Sequence, residues 1–204
     1  MKPYIHLIND CKQGEDAWHD HRLGSVGGSS ASAMVAGGAG KTRTSLMYKL
    51  AAEKATKQPT FFKPNDYMIE GTRREEESRN YLAFSEDLEI HQCALIKNDK
   101  HPGAHYSPDG FNIEKKCIVE LKNPAGHTQV ELIQKQKIGK AYIDQMQFGL
   151  MISEFDYCIF LSYVPGIKPF IKRIDRDDKY IADLQIKLEL FQTELDEILT
   201  KIRG

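Results

Sequence analysis

The chain has no surplus of charge, no long apolar run and no paired cysteines. Its 28 basic and 29 acidic residues leave a formal net charge of −1 over 204 residues. A bulk polycation is excluded, so any contact with nucleic acid has to come from local basic clusters. No stretch is apolar for long enough to span a bilayer. The opening M-K-P-Y-I-H-L-I-N-D has neither the apolar stretch nor the small-residue cleavage site of a secretion signal, which points to the cytoplasm. Cys11, Cys93, Cys117 and Cys158 form no C-x-x-C pair, so they read as reduced thiols, not as zinc ligands or a disulfide framework. His91, His101, His105 and His127 are spread too widely to define a metal cluster, and read as exposed or hydrogen-bonded loop residues. The single tryptophan, Trp18, is expected in the core. No repeat is visible, and the length suits one α/β domain over 1–204.

A complete phosphate loop is also missing. Residues 37–42 read G-G-A-G-K-T, but the motif requires a glycine five positions before Gly40, where Val35 stands. The preceding residues are helix-like, and the segment reads as a flexible loop whose Lys41 and Arg43 could touch a nucleic-acid backbone.

What the chain does have is a concentrated stretch from Ser107 to Pro124, S-P-D-G-F-N-I-E-K-K-C-I-V-E-L-K-N-P. Ser107–Gly110 carries Pro and Gly in the pattern of a turn. Cys117–Leu121 is a β-favouring run. A strand pairing back on the turn brings Asp109 beside Glu120, and residues two apart on a strand share a face, so Glu120 and Lys122 project together. Two carboxylates and an ammonium converging on one point suit metal-dependent phosphodiester hydrolysis, because hard oxygens hold Mg²⁺ and a cation orients the attacking water. A solvated E-x-K face and a plain turn give the same letters. Val119 and Leu121 alternate with the charges and imply a buried opposite face. Pro108-Asp109 followed by Glu120-Leu121-Lys122 resembles the PD-(D/E)xK nuclease signature.

Around this stretch the chain reads as follows. Residues 3–9 suit a first strand or arm, and Gln13–Gly24 a helix with acids at its start. Ser29 or Ser30 opens a second helix, and Arg22 with Ser29 would flank a phosphate-sized pocket; Arg22 equally suits a surface position in a last turn. Ser45–Ala55 is helical, and 60–67 reads as a loop. Gly71–Phe84 reads as one helix that either is solvated or points Glu75, one turn inside, at the metal site as a third carboxylate. Leu88–Ile96 alternates like a strand, and 131–152 is helical, with Tyr142, Gln145 and Gly149 near one face. Gln145 is either surface filler or a group that orients water or phosphate. Asp156–Val164 reads as a central strand and Lys168–Ile174 as its hairpin partner across Pro165-Gly166. From Asp177 to Ile202, apolar residues repeat at spacings of three and four, as in a long helix lying on its own domain or pairing between subunits.

Five ordered motifs are Q-G-E-D-A-W-H-D-H-R-L-G, G-T-R-R-E-E-E-S-R, S-P-D-G with E-L-K-N-P, A-Y-I-D-Q-M-Q-F, and I-D-R-D-D-K-Y. Together the chain resembles the phage lambda exonuclease family of recombination nucleases over nearly its whole length. The resemblance implies a restriction-endonuclease-like α/β core, a mixed central sheet flanked by helices, with a long C-terminal helix. It implies Mg²⁺-dependent 5′-to-3′ digestion of one strand of duplex DNA to mononucleotides, leaving 3′ overhangs; Mn²⁺ could substitute. It further implies a homotrimer, a single-strand annealing partner and a phage or prophage origin in a bacterial host. Residue by residue, Asp109, Glu120 and the Leu121 carbonyl match the metal ligands and Lys122 the catalytic lysine. Glu75 and Gln145 match the accompanying glutamate and glutamine, and Arg22, Ser29 and Ser107 the 5′-phosphate pocket. Asn123 departs from the cysteine common after the lysine. A related endonuclease or single-strand nuclease, or an idle DNA-binding protein, are the alternatives.

Overall fold

The apolar run Y-C-I-F-L-S-Y-V cannot face water on either side, and it becomes an inner strand of the main sheet. In the computed structural model, which describes residues 1–37, 40–60 and 66–204, four strands run in the order β5–β6–β7–β8. They are β5 (Gly110–Asn112), β6 (Cys117–Lys122), β7 (Tyr157–Val164) and β8 (Ile167–Asp175). β6 pairs antiparallel with β5 and parallel with β7, so the sheet is mixed. The β6–β7 crossover carries α6 (Gly126–Lys135) and α7 (Lys140–Ser153), as a parallel pair requires. Two short sheets flank it: β1 (Ile5–Ile8) pairs with β3 (Leu95–Asn98), and β2 (Val26–Gly27) with β4 (Ala104–His105).

Both faces of the main sheet are covered. Cys117, Val119, Leu121, Ile159 and Leu161 pack with Leu82 of α5 (Glu75–Ser85) and with Leu88. On the other face, Ile118, Cys158 and Phe160 join a larger core with α7 and with α2 (Ala31–Val35) and α3 (Lys41–Thr56). The last helix, α8 (Asp178–Arg203), closes that core with Ile181, Leu184, Leu188, Phe191 and Leu195. The Asp177 carboxylate accepts the Tyr180 N–H at 2.9 Å and caps its start. The apolar stripe of α8 therefore lies along its own domain. Among the described residues, no helix is long and apolar enough to cross a membrane.

Several boundaries differ from the sequence expectation. The helix expected over 71–84 is two helices, α4 (Asp66–Arg73) and α5, broken at Arg74. Glu75 therefore stands at the first position of α5, not one turn inside a helix. The helix expected over 131–152 is split by the left-handed Gln136 (φ 50°), which ends α6. Residues 88–94 are not a strand; their one ladder-type pairing with the sheet is the bridge from His91 to Phe111. Most of the loop expected over 60–67, and Gly38-Ala39 of the Gly-rich segment, lie outside the described residues. Lys41 begins α3, and the Arg43 guanidinium grips both Glu194 oxygens on α8, at 2.7 and 3.0 Å. Arg43 is thus a strut between two helices, not a free loop cation.

Candidate active site

The register of β5 on β6 sets the first contacts. Gly110 stands opposite Val119, so Asp109, one step earlier, lies across from Glu120. β5 ends there as a ladder, and the Asp109 side chain takes over: its Oδ2 accepts the Leu121 N–H at 2.6 Å. The N–H and C=O of a strand residue point to the same side. The Leu121 carbonyl therefore also faces Asp109, beyond the last ladder bond of β5.

Glu120 is buried, and both oxygens of its carboxylate are hydrogen-bonded. The Tyr106 hydroxyl donates to Oε2 at 2.7 Å, Gln145 Nε2 donates to Oε1 at 2.6 Å, and Lys122 Nζ donates to the same oxygen. Lys122 also lies 5.3 Å from the centre of the Tyr142 ring, so Tyr142 and Gln145 of α7 both face β6, as their spacing predicts. Burial alone pushes the Lys122 ammonium down, but Glu120 and Asp109 more than offset it and hold the group above its ordinary value. Burial, and next the Glu120 charge, push the Asp109 carboxyl well above the ordinary carboxylate range. Two buried carboxylates thus share one ammonium, and their hard oxygens with the Leu121 carbonyl form a donor set that fits a divalent cation.

Glu75 enters from α5, on a cleft of about 590 Å³ that Asp109, Arg79 and Lys12 also line. Burial raises its carboxyl, with the Arg79 and Lys122 charges opposing. Arg79 Nε donates to the Asp109 carbonyl at 2.9 Å and pins α5 to the turn. Among the described residues, Glu75, Asp109 and Glu120 do not close as a trio within 4.8 Å of one another, whereas Asp10, Cys11 and His21 do. In that second group, His21 lies 3.1 Å from both Asp10 oxygens.

The N-terminal motif is clamped onto the same turn. Gln13 Nε2 donates to the Cys93 and Pro108 carbonyls at 3.1 and 2.9 Å. Trp18 is half-buried and acts as a platform: its Nε1–H lies 3.1 Å from both the Ala94 carbonyl and Ser107 Oγ, and the Arg22 guanidinium stacks 3.7 Å from its ring centre. Trp18 therefore joins Arg22 to Ser107, which are far apart in sequence. Arg22 is largely buried and forms no ion pair among the described residues. Ser29 is exposed on the 3₁₀ turn Gly28–Ser30 before α2, without a hydrogen bond to Arg22 or Ser107.

Tyr106 was not singled out from the sequence, and His105, read there as an exposed or hydrogen-bonded loop residue, is a buried residue of β4. Tyr106 sits between Gly28 and Gly149, where an added Cβ would come within 2.5 and 2.6 Å of its ring. His105 accepts from Arg22 Nε at 3.0 Å. An aromatic and a histidine ahead of a turn carry no signal of their own. The chemistry of His105 is measurable. Burial, then the Arg22 and Lys97 charges, push it down to about 3, so the folded chain keeps it neutral while an unfolded chain protonates it below about 6.5. The stability it contributes is complete above pH 6.5 and is lost as pH falls toward 3, at roughly 1.4 kcal/mol per pH unit. Urea unfolding at pH 7, 5.5 and 4 should show a shallower loss for His105→Gln than for the wild type; equal slopes would refute this origin.

Residues 17–156 match the YqaJ-like viral recombinase domain, well over half of the 204-residue chain. The chain belongs to the YqaJ-like viral recombinase family. Among solved structures this YqaJ-like chain is similar to an alkaline exonuclease from Laribacter hongkongensis, with 26% identity, 93% of this chain and 96% of that one covered, and a TM-score of 0.84. The same enzyme in complex with dAMP gives the same values. A phage-related exonuclease from Haemophilus somnus 129PT, at 17% identity with a TM-score of 0.71 over 90% of this chain and 99% of that one, shares the fold. No curated protein matches the chain. The mixed sheet and long last helix of this chain thus follow the alkaline exonuclease fold.

Proposed function

We propose that the chain is a Mg²⁺-dependent exodeoxyribonuclease that digests one strand of duplex DNA from its 5′ end, with residues 1–204 acting as one nuclease domain. The observation that carries this reading is the pairing, through Trp18 and the Ser107–Gly110 turn, of a half-buried arginine that has no ion pair among the described residues with a buried carboxylate pair and an ammonium. One group suits a terminal phosphate and the other suits the scissile bond, so the two fix a direction along the strand. Asp109, Glu120 and the Leu121 carbonyl would hold the cation, which when bound polarises the scissile phosphate and stabilises the leaving 3′-oxygen. Mn²⁺ would be accepted by the same oxygens.

The protein groups have separate tasks. Lys122, kept as an ammonium, orients the attacking water and balances charge that develops on the phosphate. Gln145 and Tyr106 fix the Glu120 carboxylate so that its free lone pairs point one way. Glu75 stands at the cleft as a further carboxylate. Arg22 and Ser107, with Ser29 at the rim, receive the 5′-phosphate by charge-assisted hydrogen bonds. On the other side of Lys122, a pocket of about 250 Å³ lined by Tyr142, Lys135 and Lys137 offers cations and an aromatic face to the strand. A homotrimer around the duplex, a single-strand annealing protein as partner and action in the cytoplasm of a phage-bearing bacterium complete the reading.

The test is a linear duplex with one 5′-phosphate and one 5′-hydroxyl end, each 5′ nucleotide carrying its own label, in Mg²⁺. Early release of mononucleotide from the phosphorylated end is expected. Internal fragments, 3′-end release or cutting of a covalently closed circle would favour a related endonuclease or another polarity instead. Arg22→Ala should reduce the preference for the phosphorylated end by about 10–100-fold, as loss of a charge-assisted contact implies. An equal loss on both ends would argue against its role.

A further inference from the structure

We propose that His105, with Ser25, is a positioning residue that aims the Arg22 guanidinium at the 5′-terminal phosphate and thereby sets the preference for phosphorylated ends. The inference rests on the exonuclease reading above and deepens it.

Hydrogen accounting around the ring leaves one arrangement. Arg22 Nε can only donate, so His105 Nε2, 3.0 Å away, is the bare acceptor nitrogen. The proton is then on Nδ1, which donates to Ser25 Oγ at 2.7 Å. Ser25 passes its own hydrogen to the Arg22 carbonyl at 2.8 Å. The loop closes on the residue where it began and fixes the tautomer. Trp18 holds the face of the same guanidinium, so its plane and its in-plane rotation are both set. The four remaining N–H groups of Arg22 have no partner among the described residues, and they form the fork that matches a phosphate.

The choice of histidine has a chemical reason. A carboxylate at this position would fix Arg22 equally well, but it would cancel the charge that attracts the phosphate. A neutral imidazole orients the guanidinium and leaves its charge intact. Burial keeps the ring neutral across the working range of pH. The backbone accommodates it closely: Gly27 pairs with His105 in the β2–β4 ladder, and a Cβ there would come within 2.7 Å of Nε2. β4 also runs into Tyr106 and Ser107, so one short segment serves the carboxylate, the phosphate fork and the hydroxyl.

The experiment compares kcat and KM on hairpin duplexes that end in a 5′-phosphate or a 5′-hydroxyl. Wild type, His105→Ala, His105→Gln and Ser25→Ala are measured alongside Arg22→Ala, with melting temperatures as a check on folding. His105→Ala should lower the phosphate-to-hydroxyl ratio of kcat/KM by about tenfold, mainly through KM on the phosphorylated end. His105→Gln, whose amide oxygen can accept from Arg22 Nε, should recover most of the ratio, and Ser25→Ala should lie between. An unchanged ratio in His105→Ala, or a loss shared equally by both ends, would overturn the positioning role while leaving the exonuclease reading intact. A wild type without preference for phosphorylated ends would overturn the reading itself, and the proposal with it.

Discussion

Lys122→Ala is expected to reduce cleavage of duplex DNA by at least about 10²–10³-fold while leaving duplex affinity within a few-fold. The rate loss follows from position. Lys122 Nζ is bonded to the Glu120 carboxylate, on the strand that also presents the Leu121 carbonyl. A preorganised donor aimed at developing charge is worth about 10²–10³ in rate when removed. Affinity should hold because one contact among many phosphate contacts carries little of the total. Lys122→Arg should not restore activity: the longer planar guanidinium cannot occupy the gap between Glu120 and Tyr142 that a compact ammonium fills. Single-turnover cleavage with saturating enzyme separates the two effects. A variant that cleaves at the wild-type rate would remove Lys122 from the mechanism. One that neither binds nor cleaves would point to a wider disturbance of the sheet.

The carboxylate–lysine hairpin was legible because its residue types and its geometry lie in one short segment. The turn at Ser107–Gly110 and the period-two pattern of β6 together dictate that Asp109, Glu120 and Lys122 converge, and no distant contact is needed to see it. The central strand and the last helix were legible for a related reason: long apolar periodicities outweigh local noise. Legibility failed where tertiary contacts decide. The helix break at Arg74 and the left-handed Gln136 have no glycine or proline to announce them. The apolar residues of Leu88–Ile96 alternate in sequence like those of a strand, yet burial does not follow that period: His91 and Gln92 are both exposed, Cys93 to Ile96 are all buried, and the segment bridges to β5 at His91 as an irregular arm. Trp18 was expected in the core on composition alone, and its use as a platform for Arg22 and Ser107 appears only when residues 18, 22 and 107 are brought together. Tyr106 and His105 are the clearest case. Each is defined by a partner far along the chain, Glu120 and Arg22, and by glycines that make room for their rings.

Asp109→Asn should abolish cleavage and yet raise the melting temperature when EDTA is present. Asp109 and Glu120 are both buried and face each other across adjoining strands, with Lys122 bonded to Glu120. Burial and the Glu120 charge press the Asp109 carboxyl toward its protonated form, so keeping it charged or taking up a proton both cost stability; asparagine removes that cost and keeps an oxygen for the Leu121 N–H, so the strand contact survives. Relief of about 1 kcal/mol corresponds to roughly 2–4 °C in a chain of this size. The second half of the prediction concerns Mg²⁺. A cation that binds only the folded wild type stabilises it by about 2.7 kcal/mol at roughly 100 times its Kd. The variant has lost a ligand and should show little of that gain, so the order of melting temperatures reverses between EDTA and Mg²⁺. This is the pattern of a site kept at a cost in stability for its function. A variant that melts lower than wild type under both conditions would mean that Asp109 serves the turn rather than the cation. A variant stabilised by Mg²⁺ as much as wild type would move the cation elsewhere, and the trio Asp10, Cys11 and His21 would be the next set to substitute.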